Sequence, residues 1–253
     1  MSAWDEVQSL GRDRVMGAAE TADRAAQLLR SLPKDEVDGA MEALLAAHPS
    51  MGPLWRLAHA ILTSDDPVEA VDRFRKFLAG DSMAGFALSP ALPGRVLTIS
   101  NSSAVVEALA VRKPRTVLCM MSEPGGEGLS MAGIISAYSE VRVLPDDAAI
   151  RDVPAEAVLI GADAVTPGSV VNKTKSLELV KAAADREIPR YAVAGSAKLV
   201  PFEVPVPENF QAVPLKLFTA VALPTGLLSP AQVAERAAAV PMHQSLLDLA
   251  AKL

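Results

Sequence analysis

From about residue 95 the chain alternates short apolar runs with amphipathic stretches, and this alternation restricts its fold more than any other feature. The runs are RVLTI at 95–99, TVLCMM at 116–121, VRVL at 141–144, AVLIG at 157–161 and RYAVAG at 190–195, separated by stretches such as 103–111 and 174–186. Strands that are apolar on both faces must be covered on both faces. The pattern therefore predicts an α/β fold, a mostly parallel sheet flanked by helices. Before residue 90 the period is helical. Val15, Ala18, Ala22, Ala25, Leu29 and Leu32 step by three or four, as do Leu54, Leu57, Ala58, Ile61 and Leu62. Asp65 or Asp66 caps a helix with Pro67 at its first position, and Val68, Val71, Phe74 and Leu78 form its apolar face. Pro90 and Pro93-Gly94 mark a linker, giving a helical N-terminal domain at 1–90 and an α/β domain at 91–253. Six prolines between 201 and 230 predict extended or irregular chain there, before a helical tail at about 231–251.

Composition excludes several classes of function. A net charge of −6 without a basic cluster argues against a nucleic-acid groove. The lone Cys119, inside an apolar run, permits no intramolecular disulfide and reads as a buried strand thiol in a reducing compartment. No apolar stretch approaches the roughly 18 residues that cross a bilayer, and the N-terminus lacks a signal-peptide pattern, so a cytoplasmic protein without membrane contact is expected. One cysteine and three scattered histidines give no metal-ligand spacing, and no cofactor is expected.

Polar residues follow the predicted strands where α/β sheets bind ligands, at the strands' carboxyl ends. The stretch VLIGADAVTPGSVVNKTKS at 158–176 reads as a strand ending at Asp163, then a turn-rich loop that delivers Asn172 and Lys173 to a helix start. Asp163 is either an acid/base whose pKa burial raises or a turn residue. Asn172 and Lys173 either hold an anion beside free helix N–H groups or are a solvated helix start. SNSS at 100–103 follows another strand, and Ser100, Asn101 and Ser102 present hydroxyls and N–H groups as phosphate loops do, or serve as plain N-caps. EPGGEG at 123–128 turns out of a third strand, but it has neither a Walker lysine nor GxGxxG spacing.

GADAVTPGSVVNKTKSLELVKAAADREIPRYAVAGSAKLVP resembles the alpha, beta and delta subunits of eukaryotic translation initiation factor 2B and their relatives, methylthioribose-1-phosphate and ribose-1,5-bisphosphate isomerases. AAHPSMGPLWRLAHAIL at 46–62, LTISNSSAVVEAL at 97–109, SEPGGEG at 122–128 and VMGAAET near residue 15 look like further motifs of that family. The resemblance implies a helical N-terminal domain, a Rossmann-like C-terminal domain and a homodimer formed through the latter. It also implies a pocket for a sugar phosphate or related small molecule.

Departures from the pattern bear on chemistry. In the family's isomerases the position matching Ser100 is a cysteine and that matching Asp163 an aspartate, the pair that moves protons between C1 and C2 of the sugar. A serine hydroxyl is a far weaker acid than a thiol of pKa about 8.5. Ile99 stands where the family has a histidine. Met16, His48 and Glu123 stand where it has phosphate-contacting arginines, each worth roughly 1.5–3 kcal/mol as a charge-assisted hydrogen bond. Two functions follow as expectations: a non-catalytic binding or regulatory protein like initiation factor 2B, or a divergent aldose-ketose isomerase. In the second, Asp163 would be the acid/base, Ser100 would position the substrate, and Asn172 and Lys173 would hold an oxygen or phosphate.

Overall fold

The computed structural model describes residues 3–148 and 153–253. Five helices open the chain: α1 (Ala3–Arg12), α2 (Ala18–Ser31), α3 (Lys34–Ala47), α4 (Gly52–Leu62) and α5 (Pro67–Gly80). As the sequence predicts, Asp66 caps α5 by accepting from the N–H groups of Val68 and Glu69, with Pro67 at the first turn. Val15, expected on a helical face, instead lies 86% exposed in the α1–α2 loop. There Asp13 Oδ1 accepts from the N–H groups of Val15 and Met16 at 2.8 Å, and this local turn keeps the helix from starting before Ala18. Ala22, Ala25, Leu44, Leu54, Trp55 and Leu57 form the core of this layer.

The second half supplies α6 (Ala84–Leu88), β1 (Arg95–Thr98), α7 (Ser103–Arg112), β2 (Thr116–Met120), α8 (Glu127–Ile135), β3 (Glu140–Leu144), β4 (Ala157–Ile160), β5 (Ala164–Val165), β6 (Ser169–Lys173), α9 (Ser176–Asp185), β7 (Arg190–Val193), β8 (Phe210–Pro214), β9 (Ala220–Leu223), β10 (Gly226–Leu228), α10 (Pro230–Ala238) and α11 (Gln244–Ala250). The main sheet runs β10-β9-β7-β4-β1-β2-β3 and is parallel except for β10, so the apolar runs become the strands that the alternation predicts. Neighbouring residues of each strand feed opposite cores. Leu97, Leu118, Val158 and Ile160 pack with α9 on one face; Val96, Val117 and Leu159 pack with α7 on the other. Ala84 and Leu88 already join that second core, although they precede the change of period at about residue 90.

Four readings need correction. The turn-rich loop after β4 is a hairpin: β5 and β6 pair antiparallel and, with β8, make a second, three-stranded sheet. The strand before Asp163 stops at Ile160. The proline-rich 201–230 stretch holds three strands, because its prolines flank the paired segments or sit at a strand end, where Pro214 meets Ser169. The tail is two helices, broken at Pro241, with His243 capping the second.

The two halves join at the first turn of α4. Gly52 N–H donates to the Asp163 carbonyl at 2.9 Å, and a Cβ on Gly52 would stand 2.5 Å from the Lys198 carbonyl oxygen. Asp81 Oδ2 adds a bond from the Ala197 N–H at 2.6 Å. Ala164, Val171, Val200 and Val204 then pack into the helical core. Gly52→Ala should cost about 1–3 kcal/mol in urea unfolding by forcing this junction apart. Gly133→Ala, on the exposed face of α8 with nothing within 4 Å of its Cβ, should instead add roughly 0.5–1 kcal/mol.

Candidate functional site

The chain passes outward from β1 to β2 and β3, then returns to place β4 on the other side of β1. The carboxyl ends of β1 and β4 thus flank a topological switch point, where α/β sheets open a ligand crevice. A cavity of about 510 Å³ lies there, within the range of small-molecule sites. Ser100, Asn101 and Ser102 reach it from the loop after β1, Glu127 from the start of α8, and Asp163 from the loop after β4. Asn172 and Lys173 reach it from β6, and Lys198 from the loop after β7. The α1–α2 loop and His48 close it from the helical side. All six residues singled out in the sequence line this one cavity.

Asp163 keeps partial solvent contact through the cavity, yet protein surrounds its carboxyl group. Burial raises its pKa, against the opposing pull of Lys198, the Ala18 N–H and Lys173. Lys198 is buried, and desolvation lowers its pKa while Asp163 and Asp81 resist the change. For each of these groups the charge of the other is the largest influence opposing desolvation.

Lys173 is not a free cation awaiting a phosphate. Its ammonium donates to Glu127 Oε1 at 2.5 Å, with the side chains only 10% and 16% exposed, so the pair is largely shielded from solvent. Nor do Asn172 and Lys173 begin a helix. They end β6; α9 starts at Ser176, whose Oγ accepts from Asn172 Nδ2 at 2.9 Å. The intervening residue Lys175 turns the chain with φ +73°, which delays the helix.

Ser100 sits at φ +66° and Ser122 at φ +67°, a left-handed conformation costing a non-glycine residue roughly 1–2 kcal/mol. Ser100 N–H donates to Ser122 Oγ at 2.7 Å. Asp146 accepts from the N–H groups of Ser122 and Glu123 at 2.8 and 2.6 Å, so the loops after β1, β2 and β3 brace one another. Ser102 precedes α7 but does not cap it with its side chain. Its buried Oγ has no hydrogen-bond partner among the described residues, and a Cβ on Gly161 would lie 2.4 Å from it. Among the described residues no base bonds the Ser100 hydroxyl.

The balance of charge is acidic. Asp13, Glu20, Glu107, Glu127 and Asp163 line the cavity against Arg14, Lys173 and Lys198, five carboxyl groups to three cations. Arg14 Nη1 is taken up by the carbonyls of Gly11 and Asp13, both at 2.8 Å. His48, where the family pattern has an arginine, is buried; its Nε2 lies 2.9 Å from the Leu10 carbonyl, and burial lowers its pKa, favouring the neutral ring. Glu123 points elsewhere and does not line the cavity. Cys119, in the core of β2, has its thiol pKa pushed up to about 12 by burial, which makes it inert. Among the described residues no group of three His, Cys, Asp or Glu is placed to hold a metal ion, and no helix is long and apolar enough to cross a membrane.

Sequence reasoning did not nominate Lys198, Glu127, Glu107 or Arg14. Lys198 follows the strand at 190–195 just as Asp163 follows its own, so the rule that selected Asp163 selects it too. Glu127 lay inside the glycine-rich turn that had been weighed only for nucleotide binding.

Residues 93–210 match the Initiation factor 2 subunit family. Over that stretch the chain is similar to that family. Among solved structures it is similar to the translation initiation factor eIF-2B of Pyrococcus horikoshii OT3, with a TM-score of 0.79 and 22% identity over 91% of this chain and 98% of that one. The tetrameric eIF2B-beta2-delta2 complex of C. thermophilum gives 0.73 and 21% over 93% and 94%. The 5-methylthioribose 1-phosphate isomerase of P. horikoshii OT3 gives 0.68 and 18% over 93% and 87%. These likenesses establish a shared fold, as the resemblance implied. No curated protein matches the chain.

The raised pKa of Asp163 has a definite sign. Below pH 3.8 its carboxyl is protonated folded or unfolded; as pH rises, the unfolded chain ionises first, so the group takes stability away until its folded form has ionised. Asp163→Asn removes this loss. Urea unfolding at pH 4, 5, 6 and 7 should show the difference between variant and wild type moving steadily in the variant's favour.

Proposed function

We propose that this protein is a non-catalytic, initiation factor 2B-like binding protein whose cavity takes a sugar-phosphate-type ligand or a less charged relative. The observation that carries this reading is the partner Asp163 lacks. A proton shuttle between adjacent carbons needs two groups that exchange protons near neutral pH. Asp163 shares its cavity with Ser100, a hydroxyl that no base among the described residues bonds, and with Lys198, whose charge opposes the rise in the Asp163 pKa. Lys173 is occupied by Glu127. Such a cavity is equipped to bind hydroxyls, and less well equipped to bind a bisphosphate.

A second reading, a divergent aldose-ketose isomerase, is supported by one specific feature: Ser100 and Asp163 line the same cavity, and burial raises the Asp163 pKa toward a proton-exchanging range. Proton and phosphorus NMR with aldose 1-phosphates and free pentoses separates the two. Binding without conversion is expected, seen as broadened ligand resonances and no ketose signal. Asp163→Asn should weaken binding by about 1.5–3 kcal/mol, roughly 10- to 150-fold in Kd. Ketose resonances formed by the wild type and lost in Asp163→Asn would establish the isomerase instead.

Homodimerisation through the α/β half also belongs to this proposal. Leu129 and Ile134 of α8 and Val143 of edge strand β3 are exposed large apolar side chains on elements that pack together. Ile134→Asp should shift the sedimentation coefficient from dimer to monomer; an unchanged value would remove this face from the assembly.

A further inference from the structure

A second cleft, of about 290 Å³, opens on the helical layer between α4 and α5 and shares no lining residue with the cavity at the sheet edge. Its chemistry is the reverse of that cavity's. Arg56, His59, Arg73 and Phe77 line it together with threonine, alanine and Phe74, and no carboxylate does.

Arg56 is the exceptional group. Half-buried on α4, it forms neither an ion pair nor a hydrogen bond among the described residues; Nη1 is fully buried without a partner. Its one defined contact is the Phe77 ring, 5.9 Å from the guanidinium carbon. The nearest influence of opposite sign is the Asp81 carboxylate, which is already bonded to the Ala197 N–H. One helical turn on, His59 Nδ1 is also buried and unpartnered. Arg73 leans across from α5, bonded to Glu69 and Ser64. A guanidinium drawn out of water without a counter-charge is costly unless something supplies one.

We propose that this cleft is a binding site for a small tetrahedral oxyanion of the phosphate class, with Arg56 as its forked donor, His59 beside it and Arg73 at the rim. A planar fork of N–H donors over an aromatic floor suits an oxyanion. Arg56 lines the cleft with no ion pair or hydrogen bond among the described residues, which leaves its donors for a group that the chain itself does not provide. Burial lowers the pKa of both Arg56 and His59. For His59 the neighbouring charges are Arg56 and His243, both of which lower it further, so an anion seated between Arg56 and His59 must raise it.

Of the protein's three histidines, two report on separate recesses: His48 lines the cavity at the sheet edge, whereas His59 lines this cleft with His243 near it. Inorganic phosphate is titrated at constant ionic strength and pH 6.5 while the imidazole proton resonances are followed. The His59 signals should move and saturate with the His48 signals fixed, and Arg56→Met should weaken the effect at least 10-fold. Arg56→Lys, which keeps the charge and loses the fork, should retain part of it and serves if the methionine variant does not fold. A stationary His59, movement of His48 in its place, or an equal response from wild type and Arg56→Met would overturn the proposal.

Discussion

The contact on which this structure depends is the approach of the first turn of α4 to the loops that end β4 and β7. Gly52 gives its N–H to Asp163 and lies so near the Lys198 carbonyl that no side chain fits between them. One backbone contact thereby fixes two charged residues from separate strands against a helix of the other half. The Asp81 side chain adds a second tie by accepting from the N–H of Ala197, the residue before Lys198. Because the Gly52–Asp163 bond is made by main-chain groups on both sides, that part of the junction does not depend on the rotamers of exposed side chains.

That junction encloses charge, and the enclosure governs the chemistry. Desolvation moves Asp163 and Lys198 toward neutrality while each holds the other back, and Lys173 and Glu127 form a second shielded pair. Cations bound in this way offer little to a second phosphate group, and five carboxyl groups around the same space disfavour a bisphosphate. The cleft between α4 and α5 is the opposite case: cationic donors line it and no carboxylate does, although Glu69 pairs with Arg73 at its rim. The molecule thus separates acceptor-rich and donor-rich recesses onto its two halves.

Much of the architecture was legible in the chain because its signals are local. Runs apolar on both faces, as in TVLCMM, require burial on two sides and hence a covered parallel sheet; Asp66-Pro67 starts a helix by its own chemistry. Errors arose where tertiary pairing overrode local preference. The residues from 164 to 173 carry Pro167 and Gly168 and read as a loop, but β8, forty residues downstream, gives β6 a partner. Asn172 and Lys173 therefore end a strand. The period of the helical layer was right while Val15 was wrong, because the Asp13 side chain captures the N–H groups that would begin α2.

By itself the sequence determined that polar loops would follow apolar strands, and so which six residues would stand near one edge of the sheet; strand polarity and the switch point make that a rule of topology. It determined too that Ser100, Met16 and His48 would not supply a thiolate or guanidinium groups, since identity alone decides that. What only the tertiary structure decided is which charges are already spent. Lys173 is paired with a glutamate 46 residues earlier, Lys198 lies in the field of Asp163 and Asp81, and Arg56 is left without an ion pair or hydrogen bond among the described residues. Ionic partnership in a folded protein is set by distance and dielectric after packing, and neither is written in the order of the residues.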